Sequence, residues 1–289
     1  YFSGDGMNKV WINKKLFNAN EARISIFDRG FMYGDGIFET MRSYSGKVFE
    51  IDGHLDRLGL SLKTIGIKNP YSKIYLKKEI YRLLGANALK DAYIRLTVTR
   101  GEGRFGIERK DRQKPNVIIF AKKFEGYPGR VYRKGISVRV VSIKQDDLSP
   151  LSGIKSLNFL GHIIARFQAK DAGADEAIIL NTRACVAEAA TSNVFTVKRG
   201  VIITPSLESG ILPGITRAVI IRLAKRFGLK VIEKSLPHKE LLSSDEIFLT
   251  NSLAGVLPVI SVDGKKIGRG IPGELTKLLH ISYRKEALR

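Results

Sequence analysis

The hydrophobic period changes twice within the first 121 residues, and this ordering constrains the fold more than any other feature. Val10-Trp11-Ile12-Asn13-Lys14-Lys15-Leu16-Phe17 reads as two short strands around a polar turn, and Phe38 to Arg42 with Lys47 to Ile51 flanks a second turn at Ser45-Gly46. From His54 the spacing becomes helical. Leu55, Leu58, Leu62 and Ile65 recur on one face with Asp52 placed to cap it, and Ser72 opens a second helix to Leu84 whose face carries Leu76, Ile80 and Leu83. Ala92 to Arg100 then alternates by two again, and Asn116 to Ala121 is a compact apolar strand. Strands grouped on either side of a helical pair imply an α+β unit.

Gly126, Pro128 and Gly129 break the periodicity, so 126–134 is expected to link a small α+β domain (1–125) to a larger one (135–289). The larger part opens with a strand at Ile136 to Ile143, a loop from Asp146 to Lys155, a helix from Phe159 to Ala172 and a strand from Glu176 to Asn181. Asn193 to Val197 and Val201 to Thr204 form a hairpin around Lys198-Arg199-Gly200. A helix from Pro213 to Phe227 is closed by Gly228, and a strand from Glu246 to Thr250, a hairpin at Asp263-Gly264 and a helix from Glu274 to Ser282 follow. Hairpins among the strands favour a mixed, barrel-like sheet over a parallel one. The 289 residues, 44% of them hydrophobic, suffice for two cores.

A net charge of +21 raises the question of nucleic acid or anionic membranes. The cations alternate with apolar residues, as between Ile74 and Leu84, and no zinc-finger spacing, basic zipper arm or aromatic RNA-binding strand accompanies them. They are read as solvated surface plus a site for an anionic ligand, with no nucleic-acid partner. Cys185 is the sole cysteine, and His54, His162, His238 and His280 lack metal-binding spacing, so no metal is expected. The absence of an eighteen-residue apolar run and of an apolar N-terminal segment leads to the expectation of a cytoplasmic protein without a membrane span.

Three local features carry chemistry. Gly210-Ile211-Leu212-Pro213-Gly214-Ile215-Thr216-Arg217 places a tight turn at a helix start, where backbone N–H groups and the Thr216 hydroxyl can meet a phosphate; Pro-Gly turns also start helices that bind nothing. Lys155, in Ser152-Gly153-Ile154-Lys155-Ser156-Leu157-Asn158, precedes a helix between apolar neighbours. That is a setting for Schiff-base chemistry, although most lysines in so basic a chain are surface residues. Glu188, among small and apolar residues from Val186 to Asn193, needs a partner such as a protonated ring nitrogen, an arginine or a local turn.

Taken together with Tyr33-Gly34-Asp35-Gly36-Ile37-Phe38-Glu39 and His54-Leu55-Asp56-Arg57-Leu58, these blocks make the chain resemble the class IV aminotransferases from Val10 to Lys277. The resemblance implies a two-domain fold type IV enzyme carrying pyridoxal 5'-phosphate and working as a homodimer or a higher homo-oligomer. It implies that Lys155 joins the cofactor aldehyde and shuttles the substrate proton, and that Glu188 partners the pyridine nitrogen. Arg57, Ser252, Thr216 and the amides near Ile215 and Thr216 are implied to cradle the phosphate. The loop from Gly101 to Ile107 is expected to approach the site of a partner subunit.

Within that family, Tyr33, Phe38, Tyr93, Arg95 and Tyr127 match positions that surround the substrate in branched-chain aminotransferases, as does the run Asp91 to Leu96. An aromatic wall of this kind suits aliphatic side chains. Transamination between a branched-chain L-amino acid and 2-oxoglutarate is therefore expected. Thr40 stands where those enzymes carry glycine, Asn251-Ser252-Leu253 replaces their Gly-Thr-Ala, and Ala189 replaces a glycine, so Thr40, Asn251 and Leu253 join the pocket residues. The asparagine is similar to the 4-amino-4-deoxychorismate lyase pattern, which keeps that activity as an alternative. A D-amino-acid or mixed-specificity transaminase is a further one, weakened by Phe38 in place of tyrosine and by the lack of histidine between Thr99 and Gly106.

Overall fold

The computed structural model describes residues 8–103, 106–108 and 114–289. The chain divides into two compact units, one formed by the residues up to Glu125 with Lys155–Asn158, the other by Gly126–Ile154 with Phe159–Arg289.

The first unit contains β1 (Lys9–Ile12), β2 (Lys15–Asn18), α1 (Arg29–Tyr33), β3 (Gly36–Tyr44), β4 (Lys47–Val48), α2 (Ile51–Thr64), α3 (Lys73–Ala86), β5 (Ala92–Thr99) and β6 (Asn116–Lys123). The strands form a six-stranded sheet in the order β2-β1-β6-β5-β3-β4, and every pairing is antiparallel. Alternation sorts its two faces. Ile37, Met41, Ile94, Leu96, Val98, Val117 and Ile119 point to the core, where Leu55, Leu58 and Leu62 of α2 and Leu76, Ile80 and Leu83 of α3 meet them, all buried. Trp11 is wholly buried, and its indole donates to Glu79 at 2.6 Å, the partner a buried Nε1–H requires.

Ser72 caps α3 as expected, accepting from the Tyr75 amide at 3.2 Å. Asp52 does not cap α2. The helix begins one turn before His54, Glu50 holds the N-cap position with left-handed backbone, and the Asp52 carboxylate, inside the first turn, meets Lys77 at 2.8 Å.

The second unit contains α4 (Gly129–Lys134), β7 (Ile136–Gln145), α5 (Leu160–Asp171), β8 (Glu176–Asn181), β9 (Val186–Ala189), β10 (Asn193–Lys198), β11 (Val201–Pro205), α6 (Ile215–Arg226), β12 (Val231–Lys234), α7 (His238–Leu242), β13 (Glu246–Asn251), β14 (Gly255–Val262), β15 (Lys265–Lys266) and α8 (Glu274–Ala287). Its nine strands run β12-β11-β10-β13-β14-β7-β8-β9, with β15 on β14. The sheet is mixed: β11 with β12, β14 with β7, and β7 with β8 are parallel, and the remaining pairs are antiparallel. Ile178, Val186, Val194, Leu236, Leu241, Leu249 and Val262 lie in one buried cluster. Helix α5 packs on β7 and β8, and α8 on β14. Residues 129–134, in the stretch expected as linker, form α4 within this unit. Among the described residues no helix is long and apolar enough to cross a membrane.

Candidate active site

The face of the first-unit sheet opposite its core carries a set of polar and aromatic side chains. Phe38, Thr40 and Arg42 on β3 stand opposite Thr97, Arg95 and Tyr93 on β5, and Arg95 and Tyr93 stand opposite Phe120 and Lys122 on β6. Directly opposed residues share a face, so Phe38, Thr40, Tyr93 and Arg95 are neighbours. The Arg95 guanidinium lies 3.7 Å from the Phe38 ring centroid, and the Tyr93 ring is 5.9 Å from that of Phe120. Phe38 is buried, whereas Thr40, Tyr93 and Arg95 are half-buried.

Tyr33 is presented separately by the five-residue α1. So short a helix needs tertiary support. Asp28, fully buried, accepts from Gly30 N–H at 2.7 Å, from the Thr99 hydroxyl at 2.7 Å and from Asn116 Nδ2 at 2.6 Å. Asp35 then ties the turn down by accepting from Arg29 at 2.9 Å and Arg100 at 2.7 Å. The Arg29 guanidinium sits 5.0 Å from the Tyr33 ring centroid and donates to the Gly106 carbonyl at 2.8 Å. The 101–107 loop expected to reach a partner includes Arg104 and Phe105, which lie outside the described residues.

Lys155 reaches this unit through backbone pairing. Phe38 N–H donates to the Lys155 carbonyl at 2.9 Å and Leu157 N–H to the Gly36 carbonyl at 2.9 Å, with an antiparallel bridge between Ile37 and Ser156. The segment continues the sheet along the part of β3 that β4 does not cover, and Lys155 Nζ lies 4.6 Å from the Phe38 ring centroid.

Arg57 is buried on α2, and its Nε and Nη2 form a two-point contact with Glu39 at 2.8 and 2.7 Å. His54 Nδ1 lies 2.7 Å from the same carboxylate. Burial pushes the Glu39 carboxyl up, but the Arg57 charge and hydrogen bonds, with His54, outweigh it and hold the group down at about 2. Glu39 was not singled out as a site residue, although its signal was there. It is an acid at an inward position between Ile37 and Met41, opposite a helix with histidine and arginine three residues apart.

In the second unit Glu188, 6% exposed on β9, is the centre of a second constellation. Its Oε2 accepts from Leu212 N–H at 3.1 Å and from Asn193 Nδ2 at 3.3 Å. Leu212 precedes Pro213 and Gly214, the N-cap of α6, which has helical hydrogen bonding from Ile215 and no side-chain cap. Pro213 therefore lies two residues before the helix and not within it. Thr216 is buried in the first turn. Asn251 ends β13, and Ser252 and Leu253 lie in the turn that leads to β14. The Asn251 oxygen accepts from Leu253 N–H at 3.0 Å and Ala254 N–H at 2.8 Å, and its nitrogen donates to the Ser192 hydroxyl at 2.9 Å, so this amide shapes the turn that bears Ser252. Tyr127 is 43% exposed ahead of α4. Asn193 and Leu212 were not foreseen as site residues; both meet Glu188 through hydrogen bonds that sequence spacing does not reveal.

The Amino-transferase class IV family matches residues 36–262. The chain belongs to the class IV aminotransferases. It is 39% identical over 276 residues, covering 96% of this chain and 95% of the other, to a Methanocaldococcus jannaschii protein provisionally named a branched-chain-amino-acid aminotransferase. It is 37% identical to a Bacillus licheniformis D-alanine aminotransferase (93% of each chain) and 33% identical to a Bacillus subtilis aminodeoxychorismate lyase (96% and 94%). Among solved structures, the Escherichia coli branched-chain amino acid aminotransferase superposes with a TM-score of 0.93 at 30% identity over 96% of this chain and 94% of that one. The Thermoproteus uzoniensis branched-chain aminotransferase with norvaline gives 0.91 at 33% identity over 98% and 95%.

This class IV aminotransferase uses pyridoxal phosphate. A branched-chain relative of the same fold, with a TM-score of 0.93 at 28% identity over 99% of this chain and 96% of that one, was solved with pyridoxamine 5'-phosphate. The residues present here fit the group. A buried carboxylate aligned by two N–H donors suits a ring nitrogen that carries a proton. A twelve-residue helix whose first turn has no side-chain cap, with a buried threonine hydroxyl beside it, suits a phosphate.

Proposed function

We propose that this aminotransferase moves the amino group of a branched-chain L-amino acid to 2-oxoglutarate, working as a homodimer. The observation that carries the reading is the shared sheet face of Phe38, Thr40, Tyr93 and Arg95. Aromatic surface suits an aliphatic side chain by burying it. The Arg95 guanidinium against the Phe38 ring suits the second carboxylate of a dicarboxylic keto acid. Exposed Leu160 and Phe167 on α5, at 66% and 61%, support self-association; a monomer that is fully active in sedimentation at assay concentration would refute it.

Glu188, Arg57, Ser252, Ile215 and Thr216 would hold the cofactor, Glu188 at the ring nitrogen and the others at the phosphate. When bound, pyridoxal phosphate supplies an aldehyde for the amino group and a ring that draws electrons from the substrate Cα. Lys155 Nζ would anchor the cofactor through its aldehyde between turnovers, and the released amine would take the proton from Cα of the amino acid and return one to Cα of the new amino acid when the keto acid is converted. Phe38, whose ring lies beside both Lys155 Nζ and Arg95, covers one side of that amine. Tyr33, Thr40, Tyr93, Tyr127, Asn251 and Leu253 would shape the substrate pocket, Asn251 by fixing the turn that carries Leu253.

A half-reaction panel tests the reading by following cofactor absorbance with L-leucine, L-isoleucine, L-valine, L-glutamate, D-alanine, D-glutamate and 4-amino-4-deoxychorismate. Fastest conversion by the branched L-amino acids and L-glutamate is expected. Preferential conversion of D-alanine, or release of pyruvate and 4-aminobenzoate from the last compound, would overturn it.

A further inference from the structure

Asn193 is the first residue of β10, joined to Glu188 by the tight turn in which Ala189 N–H donates to the Ser192 carbonyl at 2.7 Å. It is 5% exposed. Its amide nitrogen has two hydrogens and two acceptors, Glu188 Oε2 at 3.3 Å and the Leu212 carbonyl at 2.9 Å. Leu212 N–H donates to the same Glu188 oxygen at 3.1 Å, so the Asn193 side-chain amide and the backbone N–H and C=O of Leu212 close a small ring on that oxygen. The other end of Asn193 abuts Gly214. A Cβ added to this N-cap of α6 would collide with Asn193 Oδ1. The residue therefore touches the carboxylate, the peptide before the helix and the helix cap at once.

We propose that Asn193 is a positioning residue for transamination, a strut that fixes the Glu188 carboxylate relative to the amino-terminal end of α6. The inference rests on the assignment of those two groups to the cofactor's ring nitrogen and phosphate. A rigid ligand held at both ends needs its two anchors at one spacing. The anchors sit on β9 and α6, and neither element sets that spacing alone. Asn193 bridges them with hydrogen bonds to a buried charged group, the kind whose loss costs about 1.5–3 kcal/mol. At about 1.4 kcal/mol per tenfold, that is a ten- to hundredfold loss of rate.

The test uses holoenzyme carrying N193A, E188Q or both, with single-turnover half-reaction rates, the absorbance spectrum of bound pyridoxal phosphate, and thermal melts of each apoprotein. N193A should slow the half-reaction ten- to hundredfold and change the spectrum in the direction E188Q does, with substrate KM within about threefold of wild type. Adding N193A to E188Q should cost less than threefold more. An N193A enzyme with the wild-type spectrum and a rate within threefold would overturn the inference, as would effects of the two substitutions that simply multiply. If E188Q itself changes neither spectrum nor rate, the Glu188 assignment falls and the inference falls with it. A lowered apoprotein melt with an unaltered spectrum and rate would mark Asn193 as structural only. Should N193A fail to fold, N193S carries the same cycle.

Discussion

Substituting Glu39 with glutamine should destabilise the first unit by about 3 kcal/mol at neutral pH. Glu39 is 1% exposed, and its charge is compensated by Arg57, itself 8% exposed. The folded carboxyl lies at about 2 against an ordinary 4.5. At about 1.4 kcal/mol per pH unit the difference amounts to about 3 kcal/mol of stability. Removing the carboxylate takes its two-point partner from the buried guanidinium, which independently predicts a loss of about 3–5 kcal/mol. The chain has one tryptophan, Trp11, wholly buried in β1, so its fluorescence follows this unit alone. With a urea dependence of about 1–3 kcal/mol per molar, the midpoint should fall by about 1–3 M.

The sign of the pH dependence follows from the depressed carboxyl. Its contribution is complete above pH 4.5 and is lost as pH falls toward about 2. Wild type should therefore lose, across that window, about 3 kcal/mol that E39Q has already forfeited, and the two midpoints should converge in acid. Adding R57M to E39Q should cost less than the sum of the single changes, because the two side chains share one interaction. An E39Q midpoint within about 0.3 M of wild type at pH 7, or curves that stay parallel down to pH 2, would refute the ion-pair account.

Lys155→Ala should abolish borohydride-fixed cofactor and transamination together; covalent cofactor in that variant would reassign the anchor. Arg95→Met should raise KM for 2-oxoglutarate about tenfold, the loss of one charge-assisted contact, and leave 4-methyl-2-oxopentanoate within twofold; equal effects on both keto acids would remove Arg95 from carboxylate recognition. Gly214→Ala should weaken pyridoxal phosphate binding at least about tenfold in an absorbance titration, since the added carbon meets an amide held by two hydrogen bonds; unchanged affinity would mean that the α6 end does not hold the phosphate.

The elements with a strong period were legible, and those held by distant partners were not. Ala92–Thr99 alternates cleanly because one face is core and the other is the half-buried face of Tyr93 and Arg95. Ser72 was readable as a cap because the bond is local. Asp52 was misplaced because Glu50 occupies the cap with a left-handed backbone that nothing in its side chain announces. Helix α1 has five residues, and its support comes from Thr99 and Asn116, far along the chain. Strand β9 was hidden because Val186–Ala189 is buried on both faces and so lacks alternation. Among the candidate site residues, types with unusual chemistry for their surroundings stood out, such as Lys155 and Glu188. Glu39 was legible as an inward acid facing a helix with histidine and arginine, whereas the contacts of Asn193 with Glu188 and Leu212 show only in the structure.

Lys155 owes its place to main-chain bonds, and this makes Gly36 an informative position. The segment from Lys155 to Leu157 pairs with Gly36 to Phe38, so sheet register sets the backbone from which the amine reaches the Phe38 ring. Substitutions of Ser156 should therefore be tolerated. Gly36 is different: a Cβ there would lie 2.5 Å from the Val98 carbonyl oxygen and 2.8 Å from Leu157 Cδ1. Leu157 can turn away, but Val98 is fixed in the middle of the sheet by β3 and β6. In Gly36→Ala the strand end has to shift, and the segment bonded to it shifts too. A displacement of about 1 Å in a reacting group costs on the order of a hundredfold in rate. The half-reaction should slow by that factor, and borohydride should still fix the cofactor to Lys155 because the aldehyde can follow a tethered amine. If Gly36→Ala reacts at the wild-type rate, sheet register does not set the position of the amine.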